Sequence, residues 1–411
     1  MAKYDPTHLP PSFYEQTPLY GLIARKAAHV GTGPDAVLLA TLARVAAAIS
    51  PAVTIDYGNG NLNLFAGIVG PPGAGKSKAT RAACDLLPDV GIENDRIPVP
   101  TGEGLCGLYL AVKPDDTGSR PIVKRTAFVL LDEGAILMQT SKREGATILS
   151  IARQLWSASD AGTYPDDPAR RRIIPAGSVR LCMAVNFQPD VALEMLKMAN
   201  VGDPQRFLWV SCLNPYAERI RPPDVPRIDW TPDNTPRRLR VPGIILDGII
   251  THETDVSTGR REVDPLDVRD VEYKLRIAAV LTLFHNPHAT EIELATWNHA
   301  TQIVELCRDN RQRLVEYARA AAHEQRREKN AHLIESERER RRARSDDERS
   351  ANLANNLANR IRKNGGRMTK GDLSQWAGRN RDVLDAALEI ALKRGEIVEL
   401  QTDRGRLFGA S

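Results

Sequence analysis

The chain has 411 residues, 42% hydrophobic and 26% charged, the proportions of ordinary globular domains, and there is room for two or three of them. No apolar run approaches the roughly 20 residues that span a bilayer, and the opening MAKYDPTHLPPSFYEQ lacks a signal peptide's apolar core, so a cytoplasmic protein with no membrane partner is expected. Five scattered cysteines, an odd count without metal-ligand spacing, argue against a disulfide framework, while the net charge of +4 permits nucleic-acid binding without demanding it.

Residues 12–50 read as helical. PLYGLIARKAAHV and DAVLLATLARVAAAI repeat apolar residues at three- and four-residue spacing, with Thr32-Gly33-Pro34 as a break. Then the pattern changes. NLFAGIVG is a short apolar run ending in glycine, as in a buried parallel strand, and SKATRAACDLL follows as a helix. RTAFVLLDE reads as a second buried strand ending in two acids, SVRLCMAVN as a third ending in Asn186, and RFLWVSCL as a fourth. Helical stretches EGLCGLYLAV and GATILSIARQLWSA lie between them. This alternation predicts an α/β fold, a parallel sheet with helices on both faces. Residues 214–245 are proline-rich and irregular, and helices resume at DVRDVEYKLRIAAVLTLF and TWNHATQIVELCRDNRQRLVEYARAAAHEQRREKN. Residues 324–349 are almost entirely charged and read as a solvated helix or a linker.

The most specific signal is GPPGAGKS at 70–77, which fits G-x-x-x-x-G-K-[ST] between an apolar strand and a helix, the context the motif requires. Gly70, Pro71, Pro72, Gly73, Ala74, Gly75, Lys76 and Ser77 are therefore the expected cradle for the phosphates of ATP. Backbone N–H groups and the helix dipole would face the anion, Lys76 would reach the β- and γ-phosphates, and the Ser77 hydroxyl would ligate Mg²⁺. FVLLDE at 128–133 is the apolar strand with terminal acids that such a loop needs as its partner. Asp132 would hold the magnesium and Glu133 would act as general base on the attacking water, so an ATPase is expected. Asn186, at the next strand tip, is placed to orient that water. Arg206 stands just before the fourth strand, in GDPQRFL.

Residues 350–411 read as three helices followed by a β-hairpin, the layout of a winged helix–turn–helix. From Ala351 onward there are 11 Lys/Arg and 7 Asp/Glu. Arg379, Arg381, Lys393, Arg394, Arg404 and Arg406 are the candidate phosphate contacts to DNA. A second basic segment, DPARRRIIPAGSVR, sets Arg170, Arg171 and Arg172 just upstream of the Asn186 strand.

The order GPPGAGKS, LLDE, AVN, QRF, VRDVEYKLRIAAV resembles the ATPase module of AAA+ DNA helicases, nearest the MCM-like branch. LNLFAGIVGPPGAGKS, VPTGEGL, NFQPDV and QRFL also resemble a family of uncharacterised P-loop ATPases of phages and integrated elements, often fused to primase–polymerase modules. The resemblance covers roughly residues 60–310. It implies that Asn186 is sensor one and that Arg206 is a finger donated to the neighbouring subunit's nucleotide. Arg269 with Glu272, as R-x-x-E on a lid helix, would be sensor two. It further implies that the Arg170–Arg172 segment is a pore hairpin gripping DNA. The implied assembly is a homo-oligomeric ring, a hexamer, moving on single-stranded or forked DNA, with a primase or initiator as partner. No primase-like domain fits the first 60 residues, and the MCM-type barrel and zinc ligands are absent from the sequence. The expected domains are an N-terminal helical segment (1–60), the ATPase core (61–215), a helical lid (216–318), a charged helix or linker (319–349) and the winged domain (350–411). The alternative function is an ATP-switched replication initiator or transposition regulator that binds DNA without unwinding it.

Overall fold

A computed structural model of the chain describes residues 4–99, 101–115, 119–165, 167, 171–199, 202–402 and 405–411. Two compact units divide it, Met1–Ala321 and Ala322–Ser411. The first opens with helices α1 (Pro11–Tyr14), α2 (Pro18–Val30) and α3 (Pro34–Ala48), then β1 (Val53–Ile55), β2 (Phe65–Val69), α4 (Lys76–Leu86) and β3 (Asn94–Ile97). It continues through α5 (Gly102–Gly107), β4 (Thr126–Leu131), α6 (Gly134–Ser141), α7 (Ile148–Trp156), β5 (Ala161–Thr163), β6 (Arg172–Ile174) and β7 (Arg180–Phe187). After these come α8 (Pro189–Leu196), β8 (Leu208–Ser211), β9 (Arg237–Leu239), α9 (Gly243–Ser257) and α10 (Asp270–His285). Helix α11 (Leu294–Lys363) carries the chain into the second unit, which adds β10 (Arg367–Thr369), α12 (Lys370–Ala377), α13 (Leu384–Lys393), β11 (Ile397–Thr402) and β12 (Gly405–Ala410).

The first unit is mixed α/β around a five-stranded parallel sheet of order β3-β4-β7-β2-β8. Its strands β2, β7 and β8 are buried along their whole length, as continuous apolar runs in a doubly covered parallel sheet must be. All five strands being parallel, their carboxyl ends meet at one edge and their amino ends at the other. Helix α3 is the sheet's main support. It is alanine-rich, a composition with high helix propensity, begins with Pro34 at its first turn, and is buried at nearly every position. The first helices are therefore not an appendage: Phe13, Tyr20 and Ile23 share one apolar core with Phe65, Phe128 and Trp209.

Two buried arginines fasten the sheet. Arg44 of α3 donates to the carbonyls of Leu87 and Pro88 and pairs with Asp95 on the edge strand β3. Arg180, at the amino end of β7, donates to the carbonyls of Ile49 (3.2 Å), Ser50 (2.9 Å) and Val53 (2.8 Å). Burial lowers its pKa to about 10.

The EGLCGLYLAV stretch is helical only over Gly102–Gly107, after which Leu110 bridges to Ile122. Three glycines in those six residues make a poor helix. The second unit has its own core, in which Leu357 and Ile361 of α11 meet Leu373, Leu384, Leu388, Ile397 and Phe408. Its sheet is antiparallel, of order β10-β12-β11. The third helix expected over 380–395, NRDVLDAALEIALKRG, starts later. Gly378–Val383 is a 3-10 turn with a non-helical Asn380, so Arg379 and Arg381 sit on a turn preceding α13. The charged stretch 324–349 is helical throughout, as part of α11.

Candidate functional site

The loop Gly70–Ser77 joins β2 to α4 at the carboxyl edge of the sheet, where α/β sheets present their ligand crevices. Neighbouring strand ends clamp it: Gly70 N–H donates to Phe187 O (3.1 Å) and Cys212 N–H donates to Val69 O (2.9 Å). Gly75, the residue before α4, has φ +100°, a left-handed conformation that glycine adopts without cost. A Cβ there would also press on Thr32 Oγ1 at 3.2 Å. Thr32 lies between α2 and α3, and its hydroxyl spans the Gly75 carbonyl (3.1 Å) and the Cys212 carbonyl (3.4 Å). Beneath the loop the Cys212 thiol donates to Ala74 O (3.5 Å), and burial raises its pKa to about 11, keeping it protonated at neutral pH.

Lys76 folds back over the loop. Its Nζ donates to Gly70 O (2.7 Å) and Pro71 O (3.0 Å), and burial lowers its pKa. Pro71, Pro72 and Gly73 are exposed, while Ala74, Lys76 and Ser77 are half-buried. The first turn of α4 carries no side-chain cap, so its N–H groups and dipole face the loop. A cavity of about 690 Å³ opens beside Ala74, walled by Thr32, Tyr216, Arg219 and Arg221.

Two strands away, Asp132 and Glu133 follow β4 at the same edge, and both are exposed. The intervening strand is β7, where Asn186 pairs in register with Ile68 of β2. Asn186 is 1% exposed and its Nδ2 donates to Asp132 Oδ1 (3.0 Å). Its Oδ1 is buried without a protein donor. Glu133 is the residue before α6, yet its carboxylate does not cap that helix. The following glycine is obligatory, since a Cβ on Gly134 would run into the Phe187 ring. Loop, acid pair and asparagine thus converge on one edge.

Arg206 and Arg269 do not join them. Arg206 ends the short turn before β8, at the amino edge of the sheet, and Arg269 immediately precedes α10. They meet each other there: both guanidiniums lie over the Trp156 ring, at 5.3 and 5.6 Å from its centroid. Arg206 donates to Gly202 O (2.5 Å) and to Ser157 Oγ (3.5 Å), its Nε is buried without an acceptor, and burial lowers its pKa. Arg269 pairs with Glu272 at 3.1 Å, and its side chain is 40% exposed. Arg276, about two turns beyond Arg269, is the structural member of this group. It stacks at 3.8 Å on Trp156, donates to Asn63 O (2.7 Å) and Trp156 O (3.2 Å), and pairs with Glu272.

Of the basic residues upstream of Asn186, Arg172 is on a β-hairpin, β5 with β6, and Arg171 directly precedes β6. Arg170 lies outside the described residues. Arg171 covers the Tyr164 ring, and Arg172, on the stem, is 3.9 Å from Glu103. In the second unit Arg379, Arg381 and Lys393 are exposed, Arg394 donates to Asn355 Oδ1 (2.6 Å), and Arg406 is 3.3 Å from Glu399. Arg404 lies outside the described residues. All five cysteines are unpaired and buried, and among the described residues no three His, Cys, Asp or Glu side chains group to hold a metal. No described helix is long and apolar enough to cross a membrane.

Sequence reasoning passed over Thr32, Cys212, Trp156 and Tyr164. Thr32 read only as a turn residue; its partner Gly75 is 43 residues away and nothing local announces the contact. No protein-family model matches the chain, and no curated protein matches it.

Proposed function

We propose that the chain is a P-loop ATPase of the AAA+ type, an ATP-dependent DNA translocase or helicase that works as a head-to-tail hexameric ring. The observation that carries this reading is the partition of the polar groups: loop, acid pair and Asn186 at one edge of the sheet, Arg206 and Arg269 together at the other. A nucleotide between subunits would meet both sets, one from each neighbour.

The residues present fit a magnesium nucleotide. Lys76, held on two loop carbonyls, exchanges them for the β- and γ-phosphates. Magnesium takes one or two carboxylates and completes its shell with phosphates and water, so Asp132 with Ser77 is an adequate donor set. When bound it neutralises charge on the β- and γ-oxygens. Asn186 fixes the Asp132 carboxylate through Nδ2 and presents its unpartnered Oδ1 as an acceptor for the attacking water. Glu133, uncommitted as a cap and exposed, takes the proton from that water. Arg206 of the next subunit stabilises charge on the transferred phosphoryl oxygens, with Arg269 beside it. The cavity next to Ala74 has the size for the nucleoside. The second unit, as a winged helix–turn–helix, and the β5–β6 hairpin supply DNA contacts that are largely electrostatic and salt-sensitive.

The test is the ATPase rate with and without single-stranded DNA, for wild type, Arg206→Ala, Glu133→Gln and a mixture of the two variants. DNA stimulation, two inactive variants and recovery in the mixture are expected, because a mixed interface joins an intact Glu133 to an intact Arg206. Normal hydrolysis by Arg206→Ala without DNA stimulation sinks the ring reading. ATP-dependent DNA binding without unwinding of a forked duplex would favour the initiator alternative.

A further inference from the structure

Resting on the DNA-translocase reading, we infer that Tyr164, the first residue beyond β5 of the β5–β6 hairpin, is a stacking platform for an unpaired base of single-stranded DNA. The ring is 69% exposed, which leaves it accessible to a ligand. The Arg171 guanidinium carbon lies 4.1 Å from the ring centroid, and Arg171 Nε donates to Pro165 O (3.3 Å), which fixes the cation against one side of the ring. A base added to the other face continues a cation–ring–base stack, and every base offers a π-face for it.

The platform is held still. Ala161 pairs with Ile174, Gly162 with Ile173 and Thr163 with Arg172, so Tyr164 is the first residue past a closed stem. That stem is tied to the end of α7: Gly162 N–H donates to Gln154 Oε1 (3.2 Å), and Gly177 N–H donates to Ala158 O (3.0 Å). A third bond, Ala176 N–H to Asp160 Oδ1 (2.8 Å), holds the segment that follows β6. A preorganised ring loses little entropy on binding.

Charge alone does not suit this segment to grip a phosphate backbone. In the sequence Asp166 and Asp167 offset two of the three charges of Arg170, Arg171 and Arg172, a net charge of +1. Stacking must then carry most of the affinity, with the arginines steering the strand. The recognition is for unpaired bases, since a base within a duplex has both faces covered, and it is tolerant of sequence.

The experiment measures fluorescence anisotropy of the full chain with a labelled oligothymidylate and with the same backbone carrying abasic sites. Wild type is compared with Tyr164→Ala and Tyr164→Phe, each checked for folding by circular dichroism. Tyr164→Ala is expected to weaken binding of the base-bearing strand about 5- to 150-fold, the worth of one stacked base. It should leave the abasic strand unaffected, and Tyr164→Phe should bind like wild type. Equal loss on both strands, or no loss on either while wild type binds, overturns the inference and leaves the translocase reading standing. If wild type binds neither strand, both fall together.

Discussion

Arg276 and Arg206 share the Trp156 ring but should fail in different ways when removed. Arg276 is 1% exposed and satisfies two buried carbonyls, Asn63 O at 2.7 Å and Trp156 O at 3.2 Å. Arg276→Met keeps most of the volume and strands both carbonyls, each costing about 1–3 kcal/mol. Glu272 loses one partner but keeps Arg269 at 3.1 Å and is partly exposed, so it adds little. The sum is about 3–5 kcal/mol, the usual cost of breaking a buried charged network. At about 2 °C per kcal/mol for a unit of this size, Tm should fall by about 6–10 °C. Arg206 has only the Gly202 carbonyl and a 3.5 Å contact to Ser157, with Nε unpaired. Arg206→Met should therefore stay within about 1 kcal/mol of wild type while, on the proposed reading, abolishing hydrolysis. Urea unfolding and steady-state ATPase on both variants decide the matter. Equal destabilisation by the two would make Arg206 a core residue and remove the reason for assigning it a partner outside its own chain; a wild-type midpoint for Arg276→Met would refute the accounting of the network.

On the proposed reading, Gly134→Ala should leave nucleotide affinity near wild type, because the loop is untouched, yet lower kcat about 100-fold, since a Cβ meets the Phe187 ring and displaces the adjoining Glu133; labelled-ATP titration beside turnover checks both halves. Tyr216 walls the cavity beside Ala74, so Tyr216→Ala should weaken ATP about 10-fold and leave inorganic tripolyphosphate unchanged, read by competition against a fluorescent nucleotide. Burial raises the pKa of Asp270 to about 6, against the pull of Arg311. The folded state then holds a proton that the unfolded state has lost, so this residue's contribution to stability is present below pH 4 and is lost as pH rises toward 6. Asp270→Asn should accordingly be more stable at pH 7 by about 1–3 kcal/mol and flatten that pH dependence, measured as urea midpoints at pH 5 and 7.

Elements whose cause is local were readable in the sequence. The runs ending at Val69, Leu131, Phe187 and Ser211 are predominantly apolar because both faces of the sheet are covered, and each stands out against polar flanks. The edge strand Asn94–Ile97 was not readable: NDRI has no apolar pattern, and its pairing with β4 is fixed from outside by Arg44 on Asp95. Nor was Gly243–Ser257, whose isoleucines lie on more than one face, Ile245 and Ile249 buried, Ile244 and Ile250 exposed. Within the candidate site, the loop and the acid pair are contiguous motifs and announce themselves. The supports from Thr32 and Cys212, and the Trp156 ring under Arg206, arise from contacts across dozens of residues, which no spacing rule encodes.

The separation of the two polar sets bears on what the arginines are for. β2 has five residues, which at about 3.3 Å each puts roughly 16 Å between the sheet edges, farther than an arginine side chain extends. Within one chain, then, Arg206 and Arg269 have no route to Lys76, Ser77 or Asp132. If their purpose were internal they would be bonded as Arg276 and Arg180 are, with each guanidinium taken up by several backbone carbonyls. Instead Arg206 bonds one backbone carbonyl, that of Gly202, and Arg269 keeps 40% of its side chain in solvent, both steadied on an indole face that fixes their direction. On the proposed reading, the loop donors at one end and the two guanidiniums at the other would meet across a head-to-tail contact with a second copy, and such a contact, when its rotation closes, makes a ring.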